Sequence, residues 1–197
     1  TLTNNNDGTY TLNLPANYNG PVQLSYGVTD GVATTNVLKA FTANAVNDAP
    51  TLTGAPATLS PGTEDTAYTV SAADLLQGYS DVELSSLTIT NLTPSVGTIV
   101  NNENGTYTIT PPANYFGTVT LNYGVSDGTD TTATSQSFTI TSVNDVPTLT
   151  GAGVTLSAAT EDIPYTINVA DLLQGYSDAD GDTLSLINLT TSRGTLT

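Results

Sequence analysis

The 197-residue chain sets 18 Asp and Glu against two basic side chains, Lys39 and Arg193, for a formal net charge of −16. That balance excludes nucleic acid as a partner, because neutralising a phosphate backbone needs clustered Lys and Arg, and it disfavours an anionic membrane surface for the same reason. Cys and His are both absent, which removes disulfides, thiolate zinc sites and the usual Ser or Cys nucleophiles with their imidazole partner.

Thr, Asn, Gly and Ser separate short apolar runs, a composition suited to short strands and turns rather than long helices. In chain order, Asp7-Gly8 sits between strand-like runs and is expected to form a two-residue hairpin turn. A linker, Val46-Asn47-Asp48-Ala49-Pro50, follows, then the acidic pair Glu64-Asp65 and a strand at Tyr68-Thr69-Val70. Asp74-Leu75-Leu76-Gln77-Gly78 reads as one helical turn, with Asp74 as its cap, Gln77 completing a capping box and Gly78 ending it. Strands are expected at Leu87–Thr90, Thr106–Thr110, Val119–Tyr123 and Ser137–Thr141, where apolar residues alternate with Thr, Ser or Asn. Asn104-Gly105 predicts a second two-residue hairpin, and Asp127-Gly128 falls at a turn. The linker recurs as Val143-Asn144-Asp145-Val146-Pro147, and the acidic loop Asp178-Ala179-Asp180-Gly181-Asp182 closes the series.

These elements repeat. Val46 to Gly54 returns at Val143 to Gly151, Ala73 to Asp81 at Ala170 to Asp178, and Tyr26 to Gly31 at Tyr123 to Gly128, each 97 residues on without an insertion. The chain is a tandem array: residues 50–146 form one complete repeat, 1–49 the second half of a repeat, and 147–197 the first half of the next. About seven short strands in ~100 residues is the size of an immunoglobulin-like sandwich, so the expected fold is all-β with tandem β-sandwich repeats. No apolar run nears the ~20 residues that span a bilayer, and no basic-then-apolar leader opens the chain, so a segment without membrane insertion, mature or internal to something larger, is expected.

The alternate carboxylates Asp178, Asp180 and Asp182 on a Gly-containing loop are suited to converge on one Ca2+, which takes six to eight oxygen ligands. The loop is not an EF-hand, since Leu189 stands where the bidentate Glu belongs. Asp30 and Asp127 also suit ordinary turns, Asp74 and Asp171 helix caps, and Asn144-Asp145 a linker cap before Pro147. Tyr107, Tyr115 and Tyr123 suit a sandwich core better than sugar stacking.

On the Val-Asn-Asp-Ala-Pro linker, the paired Glu-Asp, the Asp-Leu-Leu…Ser-Asp-Ala-Asp-Gly-Asp run at 171–182, Pro-Ala-Asn-Tyr-Phe-Gly at 112–117 and Tyr-Gly-Val-Ser-Asp-Gly at 123–128, the chain resembles the bacterial cadherin-like repeats of giant type I-secreted adhesins. The resemblance implies Ca2+ held between neighbouring repeats. It nominates Glu64, Asn144, Asp145, Asp178 and Asp180 at the second junction, with Asp182 in the same loop. At the first it nominates Asn47, Asp48, Asp81, Glu83 and Asp127. There the chain departs from the pattern, because Asp81-Val82-Glu83-Leu84-Ser85 loses the Gly and the third carboxylate.

The resulting expectation is a structural extender or filament segment on a bacterial cell surface or outside the cell, stiffened by Ca2+. Its partners would be neighbouring repeats or copies of itself, with surface glycans or proteins engaged through regions outside this segment. Two alternatives stand beside it: a Ca2+-dependent carbohydrate- or peptide-binding module, and a filament subunit joining head to tail by completing half-domains between copies. Enzymatic activity is not expected, because the carboxylates recur with every repeat and cluster at loops between them.

Overall fold

A computed structural model describes residues 1–196; Thr197, the last residue of the expected third segment, lies outside the described residues. Two hairpins open the chain: β1 (Leu2–Asn4) with β2 (Tyr10–Leu12), and β3 (Gly20–Thr29) with β4 (Thr34–Ala43). There follow β5 (Thr51–Leu52), β6 (Gly62–Thr63), β7 (Tyr68–Ser71), the short helix α1 (Ala72–Leu76) and β8 (Tyr79–Ser80). Next come β9 (Thr88–Pro94), β10 (Thr98–Asn101), β11 (Thr106–Thr110), β12 (Gly117–Ser126) and β13 (Thr131–Thr141). The last elements are β14 (Thr148–Leu149), α2 (Val169–Leu172) and β15 (Tyr176–Ser177).

The complete repeat is a sandwich of two sheets, ordered β10-β11-β7 and β6-β13-β12-β9, with the small pair β5-β8 at one end. All pairings are antiparallel except β13 with β6. Strand alternation decides the core: Val119, Leu121, Tyr123 and Val125 occupy every second position of β12 and are all buried. Ile109 and Val70 face them from the other sheet, Phe138 and Ile140 join from β13, and Leu75 of α1 closes one side. Tyr68 stacks on Phe138 with ring centroids 3.8 Å apart, and the Tyr123 hydroxyl donates to the Leu75 carbonyl at 3.0 Å. Tyr123 is thus a core residue, as its sequence context implied, with burial pushing its hydroxyl up to about 12.

Two local expectations need correction. Both hairpin loops hold three residues, since Asn5 N–H donates to Thr9 O and Asn102 N–H to Thr106 O. Asp7 and Asn104 do not take positive φ; each carboxylate or amide oxygen instead accepts from the backbone N–H and hydroxyl of the Thr two residues on, and the left-handed positions fall on Asn6, Gly8, Glu103 and Gly105. The helix begins earlier than expected because Ser71, not Asp74, is its N-cap: Ser71 Oγ accepts from Asp74 N–H at 3.0 Å and donates to Asp74 Oδ2 at 2.6 Å.

Candidate metal centre

Both junctions bring together a linker and the acidic loop after β8 or β15; the second adds the Glu64-Asp65 turn and the first the Asp127–Asp130 turn, which are not counterparts of one another. At the second junction Asp178 shapes its own loop, its Oδ1 accepting from Asp180 N–H at 3.1 Å and Asp182 N–H at 3.2 Å. Asp180 then reaches the linker: Oδ2 accepts from Asp145 N–H at 2.7 Å and Oδ1 from the Ser142 hydroxyl at 2.6 Å. From the complete repeat, Glu64 Oε1 accepts from Val143 N–H at 2.6 Å. Its neighbour Asp65, at φ 55°, accepts from Asn114 N–H at 2.9 Å. Asn144 donates to the Asp145 carbonyl at 2.7 Å, which is the linker-capping role.

Glu64 Oε2 and Asp145 Oδ2 are buried and have no hydrogen-bond partner. Burying a carboxylate oxygen without a donor or cation is costly. The electrostatics agree: burial first, then the charges of Asp180, Asp65, Glu64 and Asp178, push the Asp145 carboxyl above its ordinary value. Asp180 goes the other way, held low by the Asp145 N–H and the Ser142 hydroxyl. The cluster therefore concentrates negative charge at the linker and leaves two oxygens open there.

At the first junction the contacts of the acidic loop with itself and with the linker recur with other side chains. Glu83 Oε2 accepts from Asp48 N–H at 3.0 Å, and Asp81 Oδ1 from Ser85 N–H at 2.9 Å, leaving the buried Asp81 Oδ2 without a partner. Asn47 donates to Asp127 Oδ2 at 2.9 Å and to Asp130 Oδ2 at 2.8 Å. Asp127 serves its turn as well, Oδ1 accepting from Thr129 and Asp130 N–H groups, and with Asn47 as the largest contributor its carboxyl is held low. The turn and junction readings of Asp127 thus hold together.

The lost glycine leaves the first loop's shape intact but strained. Leu84 takes φ 60° where Gly181 takes 79°, and both loops are closed by the corresponding backbone bond at 3.3 Å. A left-handed leucine costs roughly 1–2 kcal/mol. Leu84→Gly is therefore expected to raise the stability of the complete repeat by about 1 kcal/mol in urea unfolding; an unchanged or lower midpoint would refute the strain.

Among the nominated residues, Glu64, Asp145, Asp178 and Asp180 gather at one junction and Asn47, Asp48, Asp81, Glu83 and Asp127 at the other. Asp182 is exposed and contributes only its backbone N–H, and Asn144 turns to the linker carbonyl. Ser142, Asp65 and Asp130 were not foreseen; the recurrence of Glu64-Asp65 as Glu161-Asp162 is the signal that points to Asp65. Among the described residues no group of three or more Asp or Glu side chains is arranged to hold a metal ion. The donor set is nonetheless of the hard-oxygen kind calcium takes, and the unpartnered Glu64 Oε2 and Asp145 Oδ2 are oxygens that such an ion satisfies.

A family model described as cadherin-like domain matches residues 1–44, 46–141 and 143–197. No curated protein sequence matches the chain. Among solved structures, the endo-fucoidan hydrolase MfFcnA4 of glycoside hydrolase family 107 matches at 21% identity and TM-score 0.35, over 73% of this chain and 22% of that one. A variant of the same enzyme matches at 24% identity and TM-score 0.37 over the same shares, and MfFcnA9 of that family at 20% and 0.29, over 72% of this chain and 25% of that one. The present chain thus spans about a quarter or less of the length of these proteins. The expectation that enzymatic activity is absent is corrected on this finding, because all three structures are hydrolases. Recurrence of carboxylates in each repeat does not exclude membership of a larger enzyme. At these TM-scores the likeness carries neither reaction nor substrate over to this chain.

Proposed function

Because the chain belongs to the cadherin-like domain family, matched along nearly its whole length, we propose that it is an extender segment outside the cell whose successive sandwiches are aligned by calcium at their junctions. The units are 1–49, 50–146 and 147–197, so the two linkers are the points at which the array bends or stiffens. The observation that carries this reading is the pair of unpartnered, buried oxygens Glu64 Oε2 and Asp145 Oδ2, one from the end of a sandwich and one from the linker leaving it. A divalent cation there joins Glu64, Asp145 and Asp180 across the junction and offsets the repulsion among them. At the first junction Asp48 and Glu83 are the counterparts of Asp145 and Asp180, and the buried, unpartnered Asp81 Oδ2 is the oxygen a cation would satisfy there.

The physics is linkage. Calcium binds the aligned arrangement, in which both sides offer ligands, better than a splayed one, and shifts the chain toward the rod by that difference. At a calcium concentration about 100 times the dissociation constant, stabilisation reaches about 2.7 kcal/mol per site. The 197-residue chain is therefore expected to melt several degrees higher in calcium than in EDTA and to show a longer maximum dimension in small-angle scattering. Identical melting and scattering in the two buffers would refute calcium alignment. The exposed acidic surface, with a net charge of −16, favours this cation-rich setting outside a cell over polyanionic partners.

A further inference from the structure

The complete sandwich is open along one side. There β9 is the last strand of one sheet and β10 the last strand of the other, and a cleft of about 320 Å3 lies between them. Ile89, Asn91 and Leu92 of β9 line it, with Ile99 and Asn101 of β10 and Tyr107 of β11. At this point β9 carries a bulge: Asn91 takes φ 51°, and the pairing of β9 with β12 shifts register between Asn122 and Gly124.

Polar groups in the cleft have hydrogen-bonding capacity to spare. Asn101 Oδ1 accepts from Glu103 N–H at 2.9 Å, which leaves its Nδ2 free, and the Asn91 amide has no partner among the described residues. The Tyr107 hydroxyl is also without one, whereas Tyr68, Tyr115 and Tyr123 each donate theirs to a backbone carbonyl. Asn101 and Tyr107 are cross-strand partners, so the amide and the hydroxyl stand side by side. No charged side chain lines the cleft, although the chain carries a net charge of −16. An ion therefore finds no counter-charge there, and a wholly apolar ligand would strand the amides and the hydroxyl without water. A neutral ring with an apolar face and hydroxyls at its edge satisfies both parts of the lining.

The lining also recurs at the 97-residue offset. Asn91 and Leu92 return as Asn188 and Leu189 and Ile89 as Leu186, while Ile99, Asn101 and Tyr107 correspond to Leu2, Asn4 and Tyr10. Their neighbours Thr90 and Val100 change to Ile187 and Thr3. The bulge accounts for an Asn at 91 and the turn for an Asn at 101, but core packing alone asks for no hydroxyl at 107.

We propose that this cleft binds one sugar ring of a neutral polysaccharide, with Ile89, Leu92 and Ile99 against the C–H face of the ring and Asn91, Asn101 and Tyr107 on its hydroxyls. The site is separate from the calcium reading, since no junction carboxylate lines the cleft. One weak site per repeat lets an array hold a long polymer by avidity.

The test is affinity electrophoresis of the 197-residue chain, whose charge carries it through native gels cast with a neutral glucan, mannan or galactan. At least one polymer is expected to retard it, equally in calcium and in EDTA. Tyr107→Phe and Asn91→Gly are each expected to weaken that binding about tenfold. Phe keeps the shape of the ring and Gly tolerates the left-handed backbone, so both variants are expected to melt close to wild type. In NMR spectra the side-chain amide signals of Asn91 and Asn101 are expected to shift on adding the monosaccharide of the retarding polymer. Free migration in all three gels overturns the proposal. So does retardation that both variants retain, and retardation lost in EDTA would move the ligand to the junctions and overturn it as well.

Discussion

Glu64→Gln is expected to raise the melting temperature of the calcium-free chain and to abolish the gain from calcium at the second junction. The wild-type side chain is 3% exposed, with one oxygen held by Val143 N–H and the other without a partner. In the absence of a cation that second oxygen is an uncompensated negative charge beside Asp145, and removing it relieves both desolvation and repulsion. The amide keeps the acceptor for Val143 and offers the acidic cluster an N–H donor in place of the idle oxygen. The gain is about 1–2 kcal/mol, or several degrees for a domain of this size. In calcium the order reverses, because the variant lacks a charged ligand and forgoes stabilisation of about 2–3 kcal/mol at saturating metal. Thermal melts of the two proteins in EDTA and in calcium measure all four values. A variant less stable than wild type in EDTA, or equally stabilised by calcium, would show that Glu64 serves only the fold.

Leu121→Ala is expected to destabilise the complete repeat by about 2–5 kcal/mol, while the matching change Leu24→Ala costs well under half as much. Leu121 is fully buried on β12 between the two sheets, so its truncation leaves a cavity lined by residues that cannot collapse. Leu24 occupies the same position of β3, yet its side chain stays partly exposed beside a cavity that it lines with Leu2 and Tyr10. The ratio measures how far the first segment lacks its second sheet. Urea unfolding of both variants gives the comparison. Equal costs would mean that residues 1–49 already possess a closed core.

Much of this fold was legible because strands of the complete repeat carry period-two patterns tied to one-sided burial. Val119, Leu121 and Tyr123 alternate within the strand read at Val119–Tyr123, and the structure buries all three, extending the strand so that Val125 joins them. The pairs Thr51–Leu52 with Tyr79–Ser80 and Gly62–Thr63 with Ile140–Thr141 could not, since two residues hold no period and the pairing spans distant chain positions. The capping serine at 71 was hidden because Asp74 offers the same chemistry three residues on, and only the backbone geometry shows which oxygen accepts. At the junctions, repetition exposed the linker and the acidic loop. What it did not expose were contacts specific to one copy: Ser142 has Ala45 as its counterpart, and Asp130 has Ala33. The Leu84 strain was likewise invisible until the φ of Gly181 showed what conformation that loop demands.

The most direct measurement is an anomalous difference map from crystals of the chain grown in calcium. The expected result is a peak at the second junction within about 2.3–2.6 Å of Glu64 Oε2 and Asp145 Oδ2, with an oxygen of Asp180 completing the protein ligands. A junction without such a peak, in which Glu64 and Asp145 turn their free oxygens apart or toward protein donors, would contradict it.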